Sequence, residues 1–136
     1  MMNYQITLNS HAIKITGEMN MGQFILKTDT AKKLINIELE GTFSNEDGLK
    51  SIQAYQQTIN PINPSEYALD IDCRKLNVTA PDVVPLLEGC FIMFKADGFQ
   101  KVSLTLENNP ILKMQLARLG RKAGLENLEI TFTVQA

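Results

Sequence analysis

The sequence predicts a two-layer α/β protein: a mixed sheet with three helices packed on one face, plus an N-terminal β-hairpin extension. Segments with strand periodicity alternate with segments of helical periodicity through most of the 136 residues, which is the pattern of an α/β domain. Each core strand alternates apolar and polar residues, so we expect one face of the sheet to meet water. We predict a single domain, made of the extension (residues 1–22) and the core (residues 23–136).

Two β-hairpins are predicted before the first helix. Residues 4–8 alternate in polarity, and Ile13 and Ile15 continue the alternation after the turn-forming pair Asn9-Ser10,. Residues 19–22 form a loose joint, after which residues 24–28 and 34–39 pair around a polar turn. We expect the first hairpin to cover or prolong a sheet edge.

The first helix is predicted to begin at Ser44, which is a good N-cap because its hydroxyl can accept a bond from a free backbone N–H. Leu49, Ile52, Tyr55 and Ile59 follow at helical spacing. The helix must stop before the segment NPINP at residues 60–64, because each proline disfavours helical geometry in the residue before it.

The central unit of the predicted sheet is a strand at residues 67–73, a loop, and a strongly apolar helix at residues 83–95. Thr79 and Asp82 have the spacing of a capping box, although Pro85 favours a helix start one or two residues later. A further strand (residues 101–107), a helix opened by the pair Asn109-Pro110 and ended at Gly124, and a last strand (residues 128–134) complete the chain.

The polar residues of the strands restrict where the helices can pack. Asp70 and Asp72 lie on one face of their strand, and burying unpaired carboxylates under a helix layer costs several kcal/mol. All three helices should therefore cover the opposite face, and right-handed crossovers then add the strands in one direction without reversal. A sheet without a reversal lacks the crevice in which α/β enzymes bind cofactors. The alternating apolar residues are Ile35, Ile37, Leu39, Leu69, Ile71, Val102, Leu104, Leu106, Leu128, Ile130, Phe132 and Val134.

With this pattern, residues 23–134 resemble the STAS fold, the domain of anti-sigma factor antagonists and sulphate transporter tails. The resemblance implies a regulatory loop before the second helix, where antagonists carry a phosphorylated Ser in an Asp-Ser-Ser-Gly run. That run falls here on Thr79, Ala80, Pro81 and Asp82, so the resemblance implies a relative without the phosphorylated Ser. It rests on the stretches LINIELEGTFS, YALDIDCRKLNVTAPDVVPLL and KVSLTLENNPILKMQLARLGRKAGL.

The loop and the helix after the central strand form the predicted partner-binding region. Thr79 is a possible phosphosite there, with the helix N-cap as the alternative role. The second helix has more apolar residues than packing against the sheet requires, and the additional ones are Val84, Ile92 and Met93. Either neighbouring elements cover them or they form an exposed patch. The predicted partner-binding residues are Thr79, Asp82, Val84, Glu88 and Met93.

Other reactive side chains have simpler interpretations. A possible anion or lipid patch is formed by Lys113, Arg118, Arg121 and Lys122, which otherwise make a solvated helix face. Asp70 and Asp72 would lie about 6 to 7 Å apart, and we interpret them as a solvated acidic face rather than a metal site. Cys90 is predicted to be inert among apolar neighbours, and His11 to be a surface residue in a hairpin turn.

The composition bounds the remaining choices. A net charge of −2 gives no global field for nucleic acid,, and we expect no membrane span, cofactor or metal. Free Cys73 and Cys90 fit a reduced, cytoplasmic compartment.

The first functional hypothesis is a non-enzymatic STAS-like module that docks a protein partner or itself, as a homodimer. The second is a carrier of a lipid or other small apolar ligand between the second helix and the sheet. An enzyme that uses the two aspartates is a third.

Overall fold

The computed structural model describes the backbone of residues 3–8, 12–18 and 22–133, and the side chains of residues 22–133. Within these ranges the chain forms one sheet of seven strands, and their order in space is their order in sequence. The strands are β1 (Asn3–Leu8), β2 (Ala12–Glu18), β3 (Gly22–Asp29), β4 (Leu34–Gly41), β5 (Ala68–Leu76), β6 (Lys101–Leu106) and β7 (Leu128–Phe132).

Both predicted hairpins are confirmed. Strands β1 to β4 pair antiparallel, and β4 to β7 pair parallel. Because β2 pairs with β3, the first hairpin prolongs the sheet edge. Residues 19–21 of the predicted joint, Val134 and His11 lie outside the described residues.

Three α-helices follow the strands of the parallel half: α1 (Asn45–Ile59), α2 (Val84–Asp97) and α3 (Pro110–Lys122). They pack on the apolar sheet face, where Leu69, Ile71 and Cys73 of β5 are buried, whereas Asp70 and Asp72 on the other face are only half-buried. The predicted two-layer mixed α/β arrangement is therefore correct. Other buried apolar strand residues on the helix side include Phe24, Leu26, Ile35, Ile37, Leu76, Val102, Leu104 and Leu106.

The parallel strands β4, β5, β6 and β7 are added in one direction across the sheet. All three connecting helices lie on one face, and right-handed crossovers on one face allow only this direction. The described part of the sheet consequently contains no point at which the strand order reverses between parallel neighbours.

The ends of α1 and α3 form as the sequence predicts. Ser44 and Asp47 make a reciprocal capping box at α1, and the side chain of Asn109 accepts a hydrogen bond from the backbone N–H of Leu112 at 3.1 Å. Gly124, which follows the end of α3, has a φ of 74°, a left-handed conformation that glycine adopts without steric cost.

The predicted capping box at Thr79 and Asp82 is wrong. The N-cap of α2 is Val83, which makes no side-chain cap bond, and Pro85 lies in the first turn. Proline is tolerated there because a first-turn N–H has no intrahelical partner. The later start that Pro85 favours is thus confirmed.

The packing corrects one further expectation and decides between two alternatives that the sequence left open. The side chain of Leu49, predicted on the apolar stripe of α1, is 54% exposed. On α2, Val84 and Met93 pack against the core, whereas Ile92 is 51% exposed. The apolar surplus of α2 is therefore mostly covered by neighbouring elements.

Candidate functional site

The loop at residues 77–83, between β5 and α2, is fixed by hydrogen bonds at both ends. Near its start, the Asn77 backbone N–H donates to the carbonyl of Gly41 at 3.0 Å, and its side chain donates to the hydroxyl of Thr42 at 2.8 Å. Near its end, the Asn45 side chain donates to the carbonyl of Asp82 at 3.2 Å. The loop is therefore hydrogen-bonded both to the C-terminal end of β4 and to the start of α1.

The middle of the loop is held by α3. The backbone N–H of Thr79 donates to Oε1 of Gln115 at 2.9 Å, and Nε2 of Gln115 donates to the carbonyl of Thr79 at 2.9 Å. One carboxamide thus satisfies both backbone groups of Thr79, which an uncapped loop would otherwise leave to water. This pairing fixes Thr79 in the loop, four residues before the Val83 N-cap of α2.

Large apolar side chains that face solvent lie beside this contact. Val78 precedes Thr79 in the chain and is 39% exposed, and Met114 precedes Gln115 and is 71% exposed. Ile111 lies one helical turn before Gln115 and is 66% exposed. A hydrogen-bonded loop and three exposed apolar side chains therefore lie at the same end of α3. We call residues 77–83 with Val84, Ile111 and Met114 the loop surface.

Four of the five predicted partner-binding residues lie on the α3 side of α2 or in the loop. Asp82 is exposed, Thr79 is half-buried under Gln115, and Val84 borders a groove with α3. Glu88 forms an ion pair with Lys122 of α3 at 3.4 Å.

Met93, the fifth, is not part of the loop surface. It lies on the flank of α2 that faces α1, where Nε2 of Gln56 contacts its sulfur at 3.9 Å. Val78, Gln115, Ile111 and Met114 were not predicted from the sequence as part of this surface. Ile111 and Met114 could have been identified from the sequence, because both are apolar but lie outside the apolar stripe that α3 buries.

The four predicted anion-patch residues surround the exposed face of α3. Lys122 contacts Glu88, as above, and the Nζ of Lys113 lies 5.2 Å from the centre of the Phe132 ring. Arg118 and Arg121 are exposed, and neither guanidinium group forms a hydrogen bond or ion pair with another side chain in the range 22–133.

The polar sheet face carries two carboxyl groups whose environments differ. Partial burial, followed by the charge of Asp72, raises the pKa of Asp70. The guanidinium of Arg74, which donates to both carboxylate oxygens of Asp72 at 2.7 to 3.1 Å, lowers the pKa of Asp72. Across residues 22–133, no group of three or more His, Cys, Asp or Glu is arranged to hold a metal ion.

Both cysteines are free and lie beside a small apolar cavity of about 80 Å³ between α1, α2 and the sheet. Burial raises the pKa of the Cys73 thiol to about 12 and that of the Cys90 thiol to about 11. Thiols with such values remain protonated near neutral pH and are poor nucleophiles.

Comparison of the chain with protein-family models, with curated proteins and with solved structures finds no match. The resemblance to STAS domains therefore depends on the residues quoted above. No helix within the described part of the chain is both long enough and apolar enough to span a bilayer.

Proposed function

We propose that this chain is a non-enzymatic, STAS-like regulatory module that docks a protein partner, or a second copy of itself, through the loop surface. The observation that carries the proposal is the double hydrogen bond between Gln115 and Thr79. It fixes an exposed loop between apolar side chains, so docking would cost little loop entropy.

The fold supports a binding role over catalysis. Parallel strands added in one direction leave no switch-point crevice,, and raised pKa values keep the two thiols protonated. Free thiols also fit action in the cytoplasm, where disulfides are rare,. The proposed module needs no cofactor, and a homodimer is the proposed form of self-association.

Thr79 remains a proposed phosphosite within this surface. Its backbone is occupied by Gln115, whereas a phosphate on its hydroxyl would place negative charge a few residues before the N-terminus of α2. Helix N-termini favour such charge. Thr79→Glu is therefore expected to change docking if the site is used.

Site-specific photo-crosslinking tests the proposal. A benzophenone amino acid at Val78 in the full chain, expressed in its native host, is expected to form a discrete crosslink to a partner protein or to a second copy. The matched control places the same amino acid at Lys32, an exposed residue in the turn after β3. Crosslinks of equal yield at both positions, or none at Val78, would reject the loop surface as the docking site.

A carrier is the second candidate, because the cavity between α2 and the sheet is apolar and lies where the sequence placed the ligand. Its volume of about 80 Å³ is well below the roughly 300 to 1,000 Å³ of ordinary ligand pockets. A lipid would therefore require α2 to separate from the sheet. Native mass spectrometry of freshly purified protein tests this candidate, since a carrier would retain a non-covalent small-molecule adduct.

A further inference from the structure

The exposed face of α3 combines apolar and cationic side chains in one stripe. Ile111, Met114, Arg118 and Arg121 follow one another at intervals of three, four and three residues, which places them on one side of the helix,. Leu112, Leu116 and Leu119 occupy the opposite, buried side. Met114 is the most exposed of the large apolar side chains in the described part of the chain, at 71%.

The charge of this helix differs from that of the whole chain. Residues 110–122 contain Lys113, Arg118, Arg121 and Lys122 and no acidic residue, although the chain as a whole has a net charge of −2. Among the described residues, Glu88 of α2 pairs with Lys122 of this helix at 3.4 Å. The guanidinium groups of Arg118 and Arg121 are left without an acidic partner among the described side chains.

The stripe borders an open groove between α3 and the first turn of α2. Its lining includes Val84, Met114, Arg118 and Arg121, and its volume is about 750 Å³. The lining thus combines apolar side chains with cationic ones. Arginine and methionine are also the residues enriched at protein interfaces, whereas lysine is depleted there.

We infer that this groove, which we call the α3 groove, binds an acidic polypeptide segment that also carries apolar side chains. Carboxylates match the planar fork of a guanidinium and can accept two parallel hydrogen bonds from it. Apolar side chains of the same segment contact Met114, whose unbranched side chain adapts to varied partners. The inference rests on the proposed function, because Gln115 of α3 links this groove to the loop surface, and it specifies the chemistry of the partner.

An anionic bilayer is the competing occupant, and the shape of the site disfavours it. Membrane-surface helices insert a broad apolar face, whereas the broad apolar face of α3 is packed on the sheet. Of the large apolar side chains of α3, Ile111 and Met114 are the exposed ones. A polypeptide segment can enter the α3 groove, whereas the surface of a bilayer cannot.

The test uses synthetic peptides and the full chain. A fluorescein-labelled peptide of about four helical turns, with Glu on one face and Leu on the other, is the probe, and fluorescence anisotropy measures its binding. Arg118→Glu/Arg121→Glu is expected to weaken binding about tenfold or more, since interface arginines are common hot spots. Lys27→Glu/Lys32→Glu, which changes the charge by the same amount away from α3, is expected to leave binding unchanged.

Two further measurements separate a built site from general charge attraction. Met114→Gln keeps every charge and is expected to weaken the Leu-containing probe but not an acidic probe with Ser in place of Leu. Arg118→Gln/Arg121→Gln provides a milder charge change if the double Glu variant unfolds, as circular dichroism would reveal. Equal binding by wild type and both double Arg variants, or loss of binding in the Lys27→Glu/Lys32→Glu control, would overturn the inference.

Co-sedimentation with phosphatidylcholine vesicles containing about one third phosphatidylserine tests the alternative. Binding to these vesicles without binding to the acidic probe would overturn the inference in favour of a membrane. The crosslink at Val78 distinguishes the two proposals. If it persists while the acidic probe fails to bind, the partner chemistry is wrong and the proposed docking function stands.

Discussion

Tyr55 of α1 donates its hydroxyl hydrogen to Oδ2 of Asp97, the last residue of α2, at 2.5 Å. The Tyr55 ring also packs edge-on against Phe94, with ring centres 5.3 Å apart. Burial, followed by the hydrogen bond to Asp97, raises the pKa of Tyr55 well above its ordinary value. The hydroxyl therefore remains a donor throughout the pH range in which the protein would be handled, and it ties α1 to the end of α2.

Removing this hydroxyl tests the link. Tyr55→Phe keeps the ring and deletes the bond to a charged acceptor, so we expect a loss of about 1 to 2 kcal/mol in the free energy of unfolding. Denaturant titration followed by circular dichroism measures it. Asp97→Asn retains an acceptor oxygen and should cost less, and an equal loss in both variants would contradict this account.

Gly89 is predicted to be a site where alanine stabilises the protein. A Cβ added at Gly89, in the middle of α2, would meet no heavy atom within 4 Å. Alanine is favoured over glycine in a helix interior by about 1 kcal/mol, so Gly89→Ala should raise stability by about that amount. A thermal melt measures the change.

Gly48 of α1 is the matched control. A Cβ there would collide with Cδ2 of Leu86 on α2, so Leu86 would have to change its rotamer and lose packing. Gly48→Ala should therefore retain little or none of the gain in helix propensity. Equal stabilisation by both substitutions would mean that α1 and α2 are less closely packed than the structure indicates.

The fold was predictable because local and global signals agree. Asp70 and Asp72 alternate with Leu69 and Ile71, and one alternating strand in the middle of the sheet is enough to put all helices on one side. The capping box of α1 was also legible, since Ser44 and Asp47 are local partners.

The loop surface was not predictable, because its determinants are distant in sequence. The backbone N–H and carbonyl of Thr79 are bound by Gln115, which lies 36 residues away. No local sequence pattern predicts the hydrogen bonds between Gln115 and Thr79. The exposure of Leu49 was missed for a similar reason: helical spacing identifies a stripe, but tertiary packing decides how far the stripe is covered.

The two aspartates of β5 should respond to substitution in opposite directions. The folded-state pKa of Asp70 is raised above 3.8, so its ionised form opposes folding near neutral pH. Asp70→Asn should then raise the melting temperature near neutral pH. Asp72→Asn should lower stability by up to about 1 kcal/mol, the usual range for an exposed ion pair.

The pH dependence separates these two effects. The advantage of Asp70→Asn should shrink as the pH falls from the raised folded-state value to 3.8, because wild-type Asp70 then becomes protonated,. Asp72 has a folded-state pKa below 3.8, so its contribution is present above 3.8 and is lost as the pH falls through the folded value. Melting temperatures over a pH series check both signs, and parallel curves for the two variants would contradict them.

Gln115 is predicted to control the mobility of the loop surface. In Gln115→Ala the Thr79 N–H loses its acceptor at 2.9 Å and the Thr79 carbonyl loses its donor, so amide hydrogen exchange should accelerate in residues 77–83. Gln115→Glu keeps an acceptor for the N–H but places a carboxylate against the carbonyl, so it should protect the Thr79 amide partly while destabilising the loop. Exchange measured by mass spectrometry, with peptides of β6 as the internal reference, distinguishes local from global opening. Unchanged exchange at Thr79 in Gln115→Ala would mean that the loop is held by Asn77 and Asn45 alone, and the docking proposal would then lose the contact on which it depends.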